Sequence, residues 1–349
     1  MLELRKYYRS FFTIGEDLAI MKEKSIRPDY LMRENAKLHT EDVQNLLKYR
    51  DEFTEIFCPA CESKRYKILF QKDGFTFVTC TKCETVFINP RPTPKMLAEF
   101  YITSKSIKHW NDKIFPASEN FRRSQIFIPR AKRVVELCLK YKVVTTSLLD
   151  VGAGFGTFCE EIQKLQVFDK VIAVEPSHDL AETCRQKGLD VIEKPIEKVD
   201  LHKVSVITNF ELIEHLYSPV DFLIASERAL SRGGLLILST PNIKGFDLLT
   251  LGKLSNNIGG PNHLNYFHSN SLNHILQRCG FEILESITPG KLDAELVRKK
   301  IMSNELDVSN RPFLKYILID MWKSTGKTFQ NFLIDNKLSS HLWMVARKI

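Results

Sequence analysis

The sequence predicts an α/β fold: a seven-stranded, mostly parallel sheet with helices on both faces, a small cysteine-bearing module ahead of it, and helical extensions. Three observations predict this. Residues 143–165 read as a buried strand, a glycine turn and a helix. From 143 to 289, apolar β-branched runs alternate with stretches of helical periodicity, the pattern of parallel strands joined by crossover helices. Two C-x-x-C pairs, Cys58/Cys61 and Cys80/Cys83, precede both features.

The chain has 349 residues, 44% of them hydrophobic, enough for one large core with one or two small modules. No run of about 18 apolar residues occurs, so no membrane span is expected. The N-terminal residues show no apolar stretch closed by a small-residue cleavage site, so no secretory signal is expected. Four of the eight cysteines stand in the two pairs. Cys138, Cys159, Cys184 and Cys279 fall within apolar patterns and read as buried thiols, which suits a reducing, cytoplasmic setting. The net charge of +8 is uneven, and residues 58–140 carry 16 Lys and Arg against 7 Asp and Glu. That excess suits an acidic small-molecule or glycan substrate; nucleic acid is the less favoured partner.

In chain order, residues 1–57 read as a helical extension, with Leu18, Met21, Leu31, Leu38, Val43 and Leu46 at helical spacing. It is expected to pack on a neighbouring domain or on a second subunit, as in a homodimer. Residues 58–90 follow the C-x2-C-x18-C-x2-C pattern, with strand-like runs either side of Asp73-Gly74. This predicts a hairpin with a cysteine knuckle at each end, a ribbon whose four thiolates close around a structural Zn²⁺. Residues 91–142 form a proline-rich exit and then helices. Thr93 is placed to cap a helix begun by Pro94, and Ala131, Val134, Val135 and Cys138 share a face of another. Arg122, Arg123 and Arg130 in this segment are candidates for gripping a substrate phosphate.

The sheet is expected over 143–289. Its first strand runs into Asp150-Val151-Gly152-Ala153-Gly154-Phe155-Gly156, where three alternate glycines let a ligand approach the main chain. Phe158, Ile162 and Leu165 then share a helix face. A second strand ends at Glu175-Pro176. A third lies within Leu189–Val199 and a fourth spans Val204–Phe210. The fifth follows a Gly233-Gly234 turn and ends at Pro241, and the sixth is Phe281–Ile287. Ser269 is the expected cap of the helix before it, with Gly280 as its stop. Residues 290–340 read as a helical insertion beside the substrate mouth. Residues 341–349 supply the last strand, antiparallel in an otherwise parallel sheet.

The D-x-G-x-G-x-G turn, the acid ending the second strand, the strand running into Glu211-Leu212-Ile213-Glu214-His215, and the glycine turn before an apolar strand ending in proline occur in one order. Together they resemble the Rossmann-like class I S-adenosylmethionine (SAM)-dependent methyltransferases, closest to the branch with ubiquinone-pathway O-methyltransferases. With the cysteine ribbon, the N-P-R-P linker and the Asn262-His263-Leu264-Asn265-Tyr266-Phe267 loop, the chain is similar to bacterial methyltransferases of the type 11 and type 23 kind assigned to surface-polysaccharide or sugar biosynthesis. The resemblance implies SAM as cofactor, held by Asp150, Gly152, Ala153, Gly154, Phe155, Gly156, Glu175, Pro176, Asn209, Phe210 and Glu211. Glu175 would bind the ribose hydroxyls.

Methyl transfer to oxygen needs a base. His215, after the fourth strand, and His263, after the fifth, are the candidates at the ligand-binding edge. Asn262, His263 and Tyr266 are candidate substrate contacts. Glu211, Glu214 and His215 are spaced i, i+3 and i+4, as on one helical face. With His263 they resemble the metal site of small-RNA terminal 2′-O-methyltransferases, which implies a second divalent metal. The expected activity is O-methylation of a phosphate- or nucleotide-linked sugar or glycan intermediate. The alternatives are an RNA methyltransferase and a non-catalytic zinc-binding interaction protein with a vestigial SAM fold.

Overall fold

The computed structural model describes residues 23–349, so Leu18 and Met21 lie outside the described residues. Helix α1 (Asp29–Leu47) buries Leu31, Val43 and Leu46. Strands β1 (Tyr66–Lys72) and β2 (Phe75–Cys80) form an antiparallel hairpin, and β3 (Val86–Ile88) adds to it. The turn at Asp73-Gly74 has φ of 50° and 79°. Two successive positive values match the right-handed twist of a hairpin. In α2 (Pro94–Thr103), Thr93 caps the helix by accepting from the Met96 amide at 3.3 Å. The chain is then helical over 105–141, through α3 (Phe115–Arg122) and α4 (Ile128–Tyr141), with π-helical turns at Trp110–Ile114 and Arg123–Phe127.

The main sheet comprises β4 (Ser147–Val151), β5 (Lys170–Val174), β6 (Asp190–Ile192), β7 (Val204–Phe210) and β8 (Leu230–Pro241), then β10 (Phe281–Ile287) and β11 (His341–Lys348). Between β8 and β10 comes the two-residue strand β9 (Asn265–Tyr266). The sheet order is β10-β11-β8-β7-β4-β5-β6, with β11 antiparallel to both neighbours. The chain fills β4 to β6 on one side, then crosses back to β7 and β8. Its switch point therefore lies between the C-terminal ends of β4 and β7, where an open α/β sheet binds its ligand. Leu148, Leu149, Ile207, Leu236 and Leu238 are fully buried, as strands covered on both faces require. Among the described residues no helix is long and apolar enough to cross a membrane.

Three local expectations are corrected. Residues 211–216 form turns, not a helix. Glu211 has φ 54° and sends its amide to Ser239 O at 2.9 Å, so β7 continues pairing with β8 where a helix would begin. The third strand, β6, lies within the expected Leu189–Val199, and Ile196–Lys198 is a 3₁₀ turn. The Gly233-Gly234 turn is a bulge inside β8, where the register with β7 shifts. In α9 (Ser269–Arg278) the cap is His268, whose amide donates to Ser271 Oγ at 3.0 Å.

The cysteine hairpin is not a bead on a linker. β9, from the segment after β8, pairs antiparallel with β3 and completes a four-stranded sheet. Phe75, Phe77, Ile88, Leu264 and Tyr266 share one buried cluster with Val43 and Leu46 of α1.

Candidate active site

Asp150, the penultimate residue of β4, is buried. It accepts from Thr208 Oγ1 at 2.7 Å, and Cys159 Sγ lies 3.7 Å from its other oxygen. Burial outweighs these partners and pushes its carboxyl up to about 7. The turn after it is tied to β5, the Gly152 amide donating to Val174 O at 2.9 Å. Gly152 has φ +74°, and a Cβ there would meet Leu212 Cδ2 at 2.8 Å. Gly154 has φ +55° and faces open space, with nothing within 4 Å of a Cβ built on it. Glu175, next after β5, accepts from the Gly154 amide at 2.8 Å and the Ser177 amide at 3.0 Å. Burial raises its carboxyl against those two donors. Ala153 lies inside the turn, and Pro176 carries the chain from Glu175 toward the next helix. Phe155 stacks flat on Phe115 of α3, centroids 3.8 Å apart. Across the switch point Asn209 donates to Val151 O at 3.2 Å, and its buried Oδ1 has no partner. Phe210 packs edge-on to Phe158, with the Arg130 guanidinium 4.5 Å from its ring centre. Open space over Gly154, an acid ending the second strand and an unpartnered amide oxygen suit a nucleoside ligand bearing an amino-acid tail.

The acids and histidines beyond β7 separate into two groups. Glu211 turns toward β8 and β11. It accepts from Ser239 Oγ at 2.5 Å, sits 3.3 Å from His341 Nδ1 and lies 3.9 Å from Arg130. Burial opposes its charge, yet His341, Arg130 and Ser239 together hold it well below the usual carboxylate range. Glu214 turns the other way, accepting from Thr240 Oγ1 at 2.9 Å while its Oε1 is buried without a partner. Burial and the nearby Glu211 raise it well above the usual range. His215 Nε2 is 3.8 Å from Glu214 Oε1, and its Nδ1 is 3.3 Å from the Tyr101 hydroxyl.

His263 meets His215 edge to face, centroids 4.7 Å apart. Its Nδ1 is 3.0 Å from Asn257 O, a carbonyl that can only accept, so Nδ1 carries the proton and Nε2 is the free acceptor. Burial lowers His215, and burial with His215 beside it lowers His263 to about 3, so both rings are neutral near pH 7. Glu214, His215 and His263 bring one ligand atom each within 4.8 Å of one another, and Glu211 is not among them.

The expected substrate contacts scatter. Arg123 is held by Glu119 at 2.9 Å, Glu160 at 2.8 Å and Glu161 at 2.5 Å. Arg122 donates to Ile26 O at 2.7 Å and Ser118 Oγ at 2.8 Å. Of the three arginines, Arg130 is the one beside Glu211 and Phe210 at the sheet edge. Tyr266 is fully buried, its hydroxyl accepting from the Gly259 amide at 3.0 Å. Asn262 keeps a buried, unpartnered Oδ1.

The four cysteines come together at the open end of the hairpin. Cys58 and Cys83 sulfurs are 3.4 Å apart, Cys61 and Cys80 3.5 Å, and all four lie within 4.8 Å of one another. A tetrahedral site with bonds of ~2.3 Å places sulfurs about 3.8 Å apart, so the set suits such an ion.

Sequence reasoning missed Tyr101 and His341. Nothing local links Tyr101 on α2 to His215. His341 did carry a signal: a last strand antiparallel to β8 must begin at the sheet's ligand edge, and His341 pairs with Pro241 there.

Comparison with known proteins agrees with this architecture. Residues 121–286 match the family model described as a methyltransferase domain. A Mycolicibacterium smegmatis protein with the printed name probable S-adenosylmethionine-dependent methyltransferase is 26% identical over 182 residues, 49% of this chain and 63% of that protein. A ubiquinone biosynthesis O-methyltransferase of Brucella anthropi is 24% identical over 198 residues, 54% of this chain and 71% of that protein. A solved S-adenosylmethionine-dependent methyltransferase from Clostridium acetobutylicum aligns with TM-score 0.44 at 13% identity, over 65% of this chain and 94% of that one. The chain thus spans less than two thirds of the first of these relatives. Just under half of the chain resembles a methyltransferase domain, within a Rossmann-like seven-stranded sheet.

Proposed function

We propose that the protein transfers the methyl group of SAM to a hydroxyl oxygen, on a sugar or glycan intermediate linked to phosphate or nucleotide. The observation that carries the oxygen reading is the neutral pair His215 and His263 beside Tyr101 and Glu214, His215 standing on the turn that follows β7. SAM supplies an activated methyl on a sulfonium, so the protein's work is positioning and proton removal. Glu175 and Asn209 Oδ1 hold the donor's polar groups, and Gly154 lets it lie against the main chain. Tyr101, 41% exposed, takes the acceptor hydroxyl's proton as it gives its own to His215 Nδ1, so the hydroxyl's proton ends on the imidazole. Glu214 Oε1 lies 3.8 Å from His215 Nε2, which carries the ring's proton on the other side before and after the transfer. His263 Nε2, its tautomer fixed by Asn257, accepts a hydrogen bond from the acceptor and orients it.

The sugar assignment is supported by the resemblance and by the basic charge of residues 58–140. Arg130 is the cation best placed for an acidic substituent. We place Zn²⁺ at Cys58, Cys61, Cys80 and Cys83 in a structural role. A second reading rests on the unpartnered Glu214 Oε1: Glu214, His215 and His263 hold a divalent cation that acidifies the acceptor hydroxyl. Removal of labile metal with zinc retained would abolish transfer under that reading and leave it unchanged under the first.

Calorimetric titration of zinc-loaded protein with SAM, repeated with Gly154→Arg, tests the donor site. Binding in the wild type and none in the variant is expected. A panel of nucleotide-sugars and RNA then tests the acceptor. Absence of SAM binding would leave the zinc-binding interaction protein as the better account.

A further inference from the structure

His263 stands in the segment between α8 (Phe246–Leu251) and β9, and that segment is built against the cysteine hairpin at both of its ends. At the hairpin tip, Lys72 Nζ donates to Ser255 O at 2.7 Å and Ile258 O at 2.5 Å. Those carbonyls flank Asn257, whose own carbonyl receives His263 Nδ1–H. At the hairpin's exit Ile88 N donates to Leu264 O at 3.0 Å, directly after His263. Between these ties Gly260 passes so close that a Cβ would meet Phe75 Cδ2 at 2.7 Å and Ile88 Cδ1 at 2.8 Å.

A second tie joins the same hairpin to the His215 turn. Arg91, three residues beyond β3, is completely buried. Its guanidinium donates to Ile88 O at 3.2 Å, Tyr217 O at 3.3 Å and Asn265 Oδ1 at 3.0 Å. No carboxylate pairs with it among the described residues' ion pairs. A buried arginine facing only neutral oxygens is costly, and its gain is geometric: one rigid fork fixes three segments. Asn265 completes the junction, its Nδ2 donating to Leu216 O at 2.7 Å and its amide to Glu214 O at 3.0 Å.

We infer that the four-cysteine hairpin is an internal brace of the acceptor side of the site, with Lys72 and Arg91 as positioning residues that set the His263 ring and the Glu214-His215 turn against each other. This rests on the reading that His263 and His215 face the acceptor. The brace's polar ties bypass the donor side: the hydrogen bonds of the turn from Gly152 to Gly154 and of Glu175 run to β5, β6 and their own turns and not to the hairpin.

The test uses the full-length, zinc-loaded protein with Lys72→Met, Arg91→Lys and, as a control on the exposed strand, Lys67→Met. Nitrogen-15 spectra of the histidine rings in mildly alkaline buffer, with His263→Gln for assignment, report which ring nitrogen carries the proton. The wild type and Lys67→Met should show His263 as the Nδ1–H tautomer, whereas Lys72→Met and Arg91→Lys should show it moving toward the Nε2–H form that free imidazole side chains favour. S-adenosylhomocysteine affinity, by calorimetry, should stay within about twofold across the set. Lys72→Met removes only a partly exposed ammonium, so it keeps the test sound if Arg91→Lys does not fold. An unchanged His263 tautomer in folded Lys72→Met overturns the inference, as does a fall in S-adenosylhomocysteine affinity matching the tautomer change. If the wild type binds no S-adenosylhomocysteine, the methyltransferase reading falls while the tautomer result still decides the brace.

Discussion

The glycine turn offers a clean separation between stability and ligand binding, through alanine at Gly154 and at Gly156. Both residues have positive φ, +55° and +68°. An alanine in that region costs about 1 kcal/mol in backbone strain. At Gly154 nothing else is added, because its Cβ meets no atom within 4 Å. At Gly156 the Cβ would lie 2.6 Å from Leu189 Cδ1 and 2.9 Å from Cys184 Sγ, both buried. Overpacking there adds roughly 1–3 kcal/mol. Gly154→Ala should therefore lower the melting temperature by a few degrees at most, and Gly156→Ala by clearly more, at about 2–4 °C per kcal/mol. Donor binding should order the other way. The Gly154 methyl occupies the space in which a ligand approaches the main chain, and a loss of tenfold or more in SAM affinity, about 1.4 kcal/mol, is expected in calorimetry. Wild-type affinity in Gly154→Ala would show that the turn shapes the fold without cradling a donor.

Three further outcomes follow from the geometry. Tyr101→Phe deletes the hydroxyl 3.3 Å from His215 Nδ1 and leaves the ring in place, so stability should change by under about 1 kcal/mol while turnover of the identified acceptor falls about tenfold or more with SAM affinity unchanged. For His341, burial opposes the charge, but Glu211, Asp293 and Asp247 outweigh it and push the ring up to about 9, with Arg130 on the far side of Glu211. Its folded value exceeds its unfolded one, so the ion pair stabilises fully below about pH 6.5 and fades as pH rises through 9. The side chain is 46% exposed and screened, so His341→Asn should cost about 1 kcal/mol near pH 6 in denaturant titrations, and the gap should close by about pH 10. A gap that widens with pH would refute the pairing. Cys80→Ser should abolish bound zinc, measured by elemental analysis at one ion per wild-type chain, and lower the unfolding midpoint, because a structural site contributes directly to folding.

What could be read from the sequence was what sequence neighbours determine. The alternation of strands and helices, the glycine turn at the edge of β4, the hairpin between the cysteine pairs and the antiparallel last strand all rest on periodicity or on fixed local spacing. Spacing misled at Glu211, Glu214 and His215. An i, i+3, i+4 pattern means one face only if the segment is helical, and here it continues from a strand. Glu211 takes a left-handed turn toward Ser239, and the two carboxylates end on opposite sides. Arg123 departs from its expectation for a related reason. Charge alone does not tell a phosphate grip from a structural clamp, and Arg123 has three carboxylates from two helices to satisfy it. β9 has two residues and so no period to detect.

The two halves of the site differ in how far apart in sequence their parts lie, and that difference decides what is legible. The donor side is assembled from residues 150–210, on consecutive strand ends of one sheet, so a run of motifs in the right order describes it nearly whole. The proposed acceptor side takes Tyr101 from α2, His215 from the turn after β7 and His263 from the segment before β9, with His341 of β11 set apart beside Glu211. What joins the His215 and His263 segments is Arg91, reaching partners 126 and 174 residues away. Contacts of that range leave no periodic trace, and they lie where the chain departs from regular structure. Under the proposed function, the donor residues are therefore the ones visible in a single sequence, while acceptor choice would depend on how a cysteine hairpin, a loop and a late insertion are packed together. Substitutions at Lys72, Arg91 and Tyr101 should accordingly alter acceptor turnover while leaving donor affinity in place. Substitutions at Gly154 and Glu175 should remove both.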